Sequence, residues 1–158
     1  MAGKVKSVPE GYNSVTPYLT IKGAARAIEF YVKAFGAVEV MRLASPDGGI
    51  GHAELKIGDS KIMLSDEFPG MGSRSPESFG GTPVAIHLYI ADVDTVVLKA
   101  IDAGAKLTQP VQDKFYGDRS GCITDPFGHN WYISTHAEDM SLEEMQRRAN
   151  EFMKKQAS

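Results

Sequence analysis

Only one cysteine, Cys122, occurs in the 158 residues, so an intramolecular disulfide is excluded. That scarcity makes a soluble, cytoplasmic location the expectation. No stretch approaches the roughly 20 apolar residues needed to span a bilayer. Met1 to Pro9 carries Lys4 and Lys6 with no apolar run behind them, which is not the pattern of a secretory signal. Basic excess is also missing: the net charge is −3 and the pI about 5.8. The short clusters Arg147-Arg148 and Lys154-Lys155 read as a solvated helix face, so neither nucleic acid nor membrane is expected as a partner. What is present, 42% hydrophobic and 23% charged residues, is the composition of an ordinary globular chain with a real core.

The chain is organised around Gly117 to Ser134, which reads as strand, turn, strand. In Asp125-Pro126-Phe127-Gly128, proline presets φ at the second position and glycine takes the last without steric cost. A hairpin alone is marginal in water, so it must belong to a larger sheet. Residues 1–14 read as an irregular arm. Val15 to Ile21 alternates as a strand, and Pro17 hints that it lies at an edge. A helix follows from about Ala24 to Phe35, stopped by Gly36. Strands at Ala37 to Leu43, Ile50 to Ile57 and Ser60 to Leu64 complete a βαβββ order. The same order returns as a strand at Val84 to Ile90, a helix capped by Asp92 or Asp94 and ended by Gly104, and strands at Lys106 to Val111, Arg119 to Thr124 and His129 to Thr135.

The two halves match in register. Tyr18 lies over His87, Gly36 over Gly104 and Gly58 over Gly128, at offsets of 69, 68 and 70. A nearly constant offset is the mark of an internal repeat. The expected organisation is an arm (1–14), a first module (15–65), a second module (84–136) and a C-terminal helix (137–158), within one domain. Between the modules, residues 66–83 are rich in Gly, Pro and Ser and read as a linker or lid without regular structure. Ser141-Leu142-Glu143-Glu144 is a capping box. The helix it starts should turn Leu142, Met145, Ala149, Phe152 and Met153 inward.

Period-2 alternation gives each strand two faces. Leu19 and Ile21, Ala53, Leu55 and Ile57, and Ile86 and Leu88 suit a face covered by helix. The opposite face collects Tyr18, His52, Glu54, Lys56, His87, Tyr89 and Tyr132. These polar and aromatic groups are either a solvated sheet face or the lining of a small-molecule pocket. Arg119 could clamp a carboxylate or phosphate, or pair with a nearby acid. Cys122 reads as a buried structural thiol, and His129 points by parity to the helix face.

Ala27-Ile28-Glu29-Phe30-Tyr31 with Phe35-Gly36, Gly51-His52-Ala53-Glu54-Leu55 before a tight turn, and Asp125-Pro126-Phe127-Gly128 together resemble the vicinal oxygen chelate superfamily. Its members include glyoxalase I, bleomycin resistance proteins and extradiol dioxygenases. Phe115 to Gly121 is similar to the PhnB-like, glyoxalase-related branch. The resemblance covers about residues 15–136. It implies an α+β fold in which two βαβββ modules form an incomplete barrel around a cleft, commonly as a homodimer. It also implies metal-ligand positions that fall here on Thr16, Glu54, Ala85 and Tyr132. Only Glu54 offers a usual metal donor there, so no cofactor is expected at that site. A displaced divalent metal would draw on His52, Glu54 and His87.

The leading expectation is a metal-free small-molecule binding protein similar to the bleomycin-resistance type, with Tyr18, Lys56, Tyr89, Arg119 and Tyr132 as ligand contacts. The alternative is a lyase or isomerase in which Glu54, with His52 and His87, moves protons. A structural dimerisation module is the third reading.

Overall fold

The computed structural model describes residue 3 and residues 5–158. Two compact units divide at residues 81 and 82. The first contains β1 (Tyr18–Ile21), α1 (Ala24–Phe35), β2 (Val38–Ala44), β3 (Ile50–Ile57) and β4 (Ser60–Asp66), followed by a 3-10 turn at Pro69–Met71 and the short helix α2 (Pro76–Phe79). The second contains β5 (Ala85–Tyr89), α3 (Val93–Asp102), β6 (Lys106–Asp113), β7 (Asp118–Thr124), β8 (Asn130–His136) and α4 (Leu142–Gln156). Each unit is α+β with one four-stranded mixed sheet, ordered β1-β4-β3-β2 in the first and β5-β8-β7-β6 in the second. In each sheet the opening strand runs parallel to the last strand, and every other pair is antiparallel. β1 lies at a sheet edge, as Pro17 suggested.

The apolar alternation does what it predicts. Leu19, Ile21, Ala53, Leu55, Ile57 and Leu64 are buried together with Ala24, Ala27, Ile28, Tyr31 and Phe35 of α1. In the second unit Ile123, Trp131 and Ile133 are buried with Val93, Val96, Val97 and Ala100 of α3. Burying each large side chain contributes about 1.5–3 kcal/mol, so these faces hold each unit together. Ile101, at the last turn of α3, is exposed instead.

Helix α1 has no cap of its own. Its N-cap residue, Gly23, has no side chain to offer, and Asp66 at the end of β4 supplies the acceptor. Asp66 Oδ1 receives the backbone N–H groups of Gly23 (3.1 Å) and Ala24 (2.8 Å), and Oδ2 receives that of Ile50 (2.7 Å). A carboxylate there also complements the positive end of the helix dipole. At the other end Gly36 takes φ 67°, where a Cβ would be strained, and its N–H closes the helix on Tyr31 and Val32.

Two sequence expectations change. Residues 66–83 are not devoid of regular structure: Pro76 opens α2, the Ser75 side chain accepts from Ser78 N–H, and Glu67 accepts from Ser75 N–H at 2.7 Å. Proline at the first turn and serine at the cap are enough to specify that short helix. Helix α4 forms with Ser141 as its cap, but it buries no residue: Met145 and Ala149 are half-buried, and Leu142, Phe152 and Met153 are exposed. It is held at its C-terminal half by Phe152 against Phe115, with ring centroids 5.2 Å apart, and at its middle by Arg148 on Glu138. No described helix is long and apolar enough to cross a membrane.

Candidate functional site

On the sheet face away from α1, register brings the candidates of the first unit together. Glu54 pairs with Met63 on one side, and Met63 with Tyr18. The Tyr18 hydroxyl lies 3.0 Å from His52 Nδ1, and His52 Nε2 lies 3.1 Å from Glu54 Oε1. A carboxylate only accepts, so Nε2 carries the hydrogen and donates to Glu54, while Nδ1 meets the Tyr18 hydroxyl. His52 and Glu54 are mostly covered, with side-chain exposures of 25% and 12%. The result is an oriented Tyr–His–Glu chain, a geometry suited to moving a proton. Lys56 lies on the same face by alternation but is exposed.

In the second unit the same face carries an aromatic stack. His87 lies between Tyr89 and Tyr132, at centroid separations of 4.6 and 5.9 Å and with planes within about 23°. His87 Nε2 is 2.9 Å from Ser134 Oγ, and Ser134 donates to Ser120 at 2.8 Å. Since the serine hydrogen is committed to Ser120, His87 donates through Nε2. Tyr89 donates to the buried Asp118 (2.8 Å), which also meets His136 Nδ1 (2.8 Å). That bond holds the Tyr89 pKa above its ordinary value.

Beside this stack is a pocket of about 580 Å³. Its sheet wall is Gln109, Gln112, Ser120, Cys122 and Tyr132; its loop wall runs from Asp113 to Tyr116; Phe152 and Gln156 of α4 close it. Its volume falls within the range of pockets that hold small molecules, and its lining mixes aromatic with polar side chains. Burial pushes the pKa values of both Tyr116 and Cys122 up, so the thiol stays protonated and the reading of Cys122 as unreactive stands.

The second-unit candidates Tyr89, His87 and Tyr132 therefore stand together, with Tyr132 lining the pocket. Arg119 does not join them. It lies on the other face, donating to both carboxylate oxygens of Asp94 (2.7 and 2.8 Å) and to Asp113 (3.1 Å). The acids that hold it are Asp94, on α3, and Asp113, on the neighbouring strand. Sequence reasoning missed Gln109, Gln112, Lys114 and Gln156 as lining residues. Alternation along β6 could have suggested Gln109, but nothing in the sequence brings α4 over β7.

The register also bears on metal binding. Tyr18 pairs with Met63 as His87 pairs with Tyr132, and Glu54 pairs with Met63 as Cys122 pairs with Tyr132. Within the repeat, Met63 therefore occupies the place of Tyr132, and Glu54 the place of Cys122. The repeat-matched donor set of Thr16, Met63, Ala85 and Tyr132 contains no carboxylate or imidazole, the usual donors for a divalent metal. Within the first unit His52 and Glu54 bond to each other, and within the second His87 bonds to Ser134. Among the described residues no three His, Cys, Asp or Glu side chains gather at one point.

Comparison with known proteins agrees with this architecture. An uncharacterized protein of Mycobacterium tuberculosis, Rv0887c, is 43% identical over 136 residues, covering 84% of this chain and 80% of that one. The crystal structure of the Arabidopsis thaliana product At5g48480 superposes with a TM-score of 0.62 at 28% identity, over 80% of this chain and 99% of the other. A protein of Bacillus cereus described as a putative 3-demethylubiquinone-9 3-methyltransferase, PhnB protein, shares the fold at 18% identity, with a TM-score of 0.61 over 78% and 99% of the two chains. The model of the Glyoxalase/Bleomycin resistance protein/Dioxygenase superfamily matches residues 12–133, and the chain belongs to that superfamily.

Proposed function

We propose that the protein binds a small molecule in the pocket of its second unit, in the manner of a bleomycin-resistance type protein, without a metal at the superfamily's usual position. The observation that carries this reading is the 580 Å³ pocket, walled by Phe115, Tyr116, Tyr132 and Phe152 with amides and hydroxyls between them. Aromatic walls supply most of the affinity, and the few polar groups orient the ligand. The donor set without carboxylate or imidazole supports the metal-free part of the proposal. The ligand-binding role of Tyr89 and His87 is secondary here, since of the three stacked rings only Tyr132 lines the pocket.

A thermal-shift screen of aromatic small molecules tests it. Hits should stabilise the wild-type protein, and Tyr132→Ala should weaken them. A broad library without a hit removes the reading.

A second reading rests on the Tyr18–His52–Glu54 chain, in which His52 exchanges protons and Glu54 orients and charges it. It predicts lyase or isomerase chemistry on a carbon acid. Deuterium uptake by a small hydroxy ketone in heavy water, followed by proton NMR, should then occur with wild type and disappear with His52→Asn. The functional unit is proposed to be a cytoplasmic homodimer.

A further inference from the structure

The pocket carries an uncompensated positive charge. Its two ionised lining residues are Asp113 and Lys114. The Asp113 carboxylate is turned to the other face of the sheet, where it accepts from Arg119 at 3.1 Å and is otherwise solvated. Lys114 has no ion pair and no side-chain hydrogen bond among the described residues; only its backbone is engaged, with Asp118 and Gly117. Its charge is felt at Cys122 on the pocket floor, where it opposes the effect of burial on the thiol. Asp118, an acid on this same face, is buried and committed to Tyr89 and His136. The rest of the lining is neutral: three glutamines, Ser120, Cys122, two tyrosines and two phenylalanines.

An ammonium in the wall of a pocket otherwise lined by aromatic rings and neutral amides selects ligands by charge, because a half-buried pair is screened less than one in open solvent. We propose that this pocket takes an aromatic monoanion, with Lys114 reading the anionic group and Phe115, Tyr116, Tyr132 and Phe152 holding the ring system. The inference rests on the binding reading above and names its ligand class. It runs against the net charge of the protein, −3, which would by itself repel anions. The pocket is therefore a local exception to the global field.

Three matched probes test it by calorimetry on the full chain: 2-naphthoate, 2-naphthamide and 2-naphthylmethylammonium. The expected result is that wild type binds the carboxylate about tenfold more tightly than the amide, the scale of one charge-assisted hydrogen bond, and binds the cation least. Lys114→Gln should bring carboxylate and amide together, and Lys114→Glu should reverse the order of anion and cation. Phe152→Ala should weaken all three without changing their order. Equal binding of the three probes by wild type, or a carboxylate preference that survives in Lys114→Gln, overturns the charge assignment while leaving the pocket in place. Failure of all three probes to bind overturns the aromatic ligand class proposed here, whereas the binding reading itself falls only if a broad library also gives no hit.

Discussion

At Asp125 one carboxylate organises the turn that dominates the sequence. Oδ1 accepts the backbone N–H groups of Phe127 (2.9 Å) and His129 (3.0 Å), and Oδ2 accepts from Trp131 Nε1 (3.0 Å). Asp125, Phe127 and Trp131 are buried, so an alanine at 125 would strand two donors away from water and leave a third, His129 N–H, partly covered. Each stranded donor costs about 1–3 kcal/mol. Asp125→Ala should lower stability by about 3 kcal/mol or more in urea unfolding; a change within experimental error would mean that water replaces the carboxylate. His136 gives a pH-dependent counterpart. Hydrogen bonds with Asp139 first and Asp118 second raise its pKa above the ordinary 6.5. Because the folded value is the higher one, protonation favours the folded state: the contribution is complete below 6.5 and is lost as pH rises through the folded pKa. The stability advantage of wild type over His136→Asn should therefore be larger near about pH 6 than near about pH 9. An advantage independent of pH would assign His136 a packing role only. At this scale the sequence was partly legible: alternation placed Tyr18, His52 and Glu54 on one face, whereas the partner of Arg119 was not foreseeable, because Asp94 is 25 residues away on a helix.

Elements show a different division. Helices α1 and α3 are specified by their apolar stripes and by the sheets beneath them. Helix α4 is specified locally, by Ser141 and by its ion pairs: Arg147 and Arg148 both hold Glu144, taking its pKa down to about 2. Such exposed pairs support a helix but do not dock it. The approach to α4 is nevertheless defined, because Gly117 O accepts from both Ala137 and Glu138, and a Cβ at Gly117 would collide with Glu138 O. Ending the chain after Met140 should cost less than about 1 kcal/mol of stability, since α4 buries no residue. The same truncation should abolish 2-naphthoate binding, because Phe152 and Gln156 close the pocket. Retained binding would place the ligand elsewhere on the second sheet.

For the whole molecule, the repeat is the governing fact. Both sheets share one strand order and one set of register equivalences, so a position in one unit can be checked against its counterpart in the other. By that equivalence Met63 is the counterpart of Tyr132, and Glu54 that of Cys122. Protein purified without chelator should carry no stoichiometric divalent ion, and chelator treatment should leave its melting temperature unchanged; a bound ion lost in Glu54→Ala would reverse this. Sedimentation analysis should find a dimer; its outer strands β2 and β6 are exposed along nearly their whole length.

The order of elements, the repeat, the Asp-Pro-Phe-Gly turn and the face that each strand residue takes were all decided by the sequence alone. Each is a local matter of periodicity, caps and backbone-restricting residues, and local rules are written in adjacent letters. The tertiary structure alone decided that Asp66 caps α1, that Arg119 belongs to Asp94, and that α4 and the Lys114 loop enclose a pocket over β7. Those contacts join residues far apart in the chain, and which of several acids or apolar faces meets another depends on how the elements pack together.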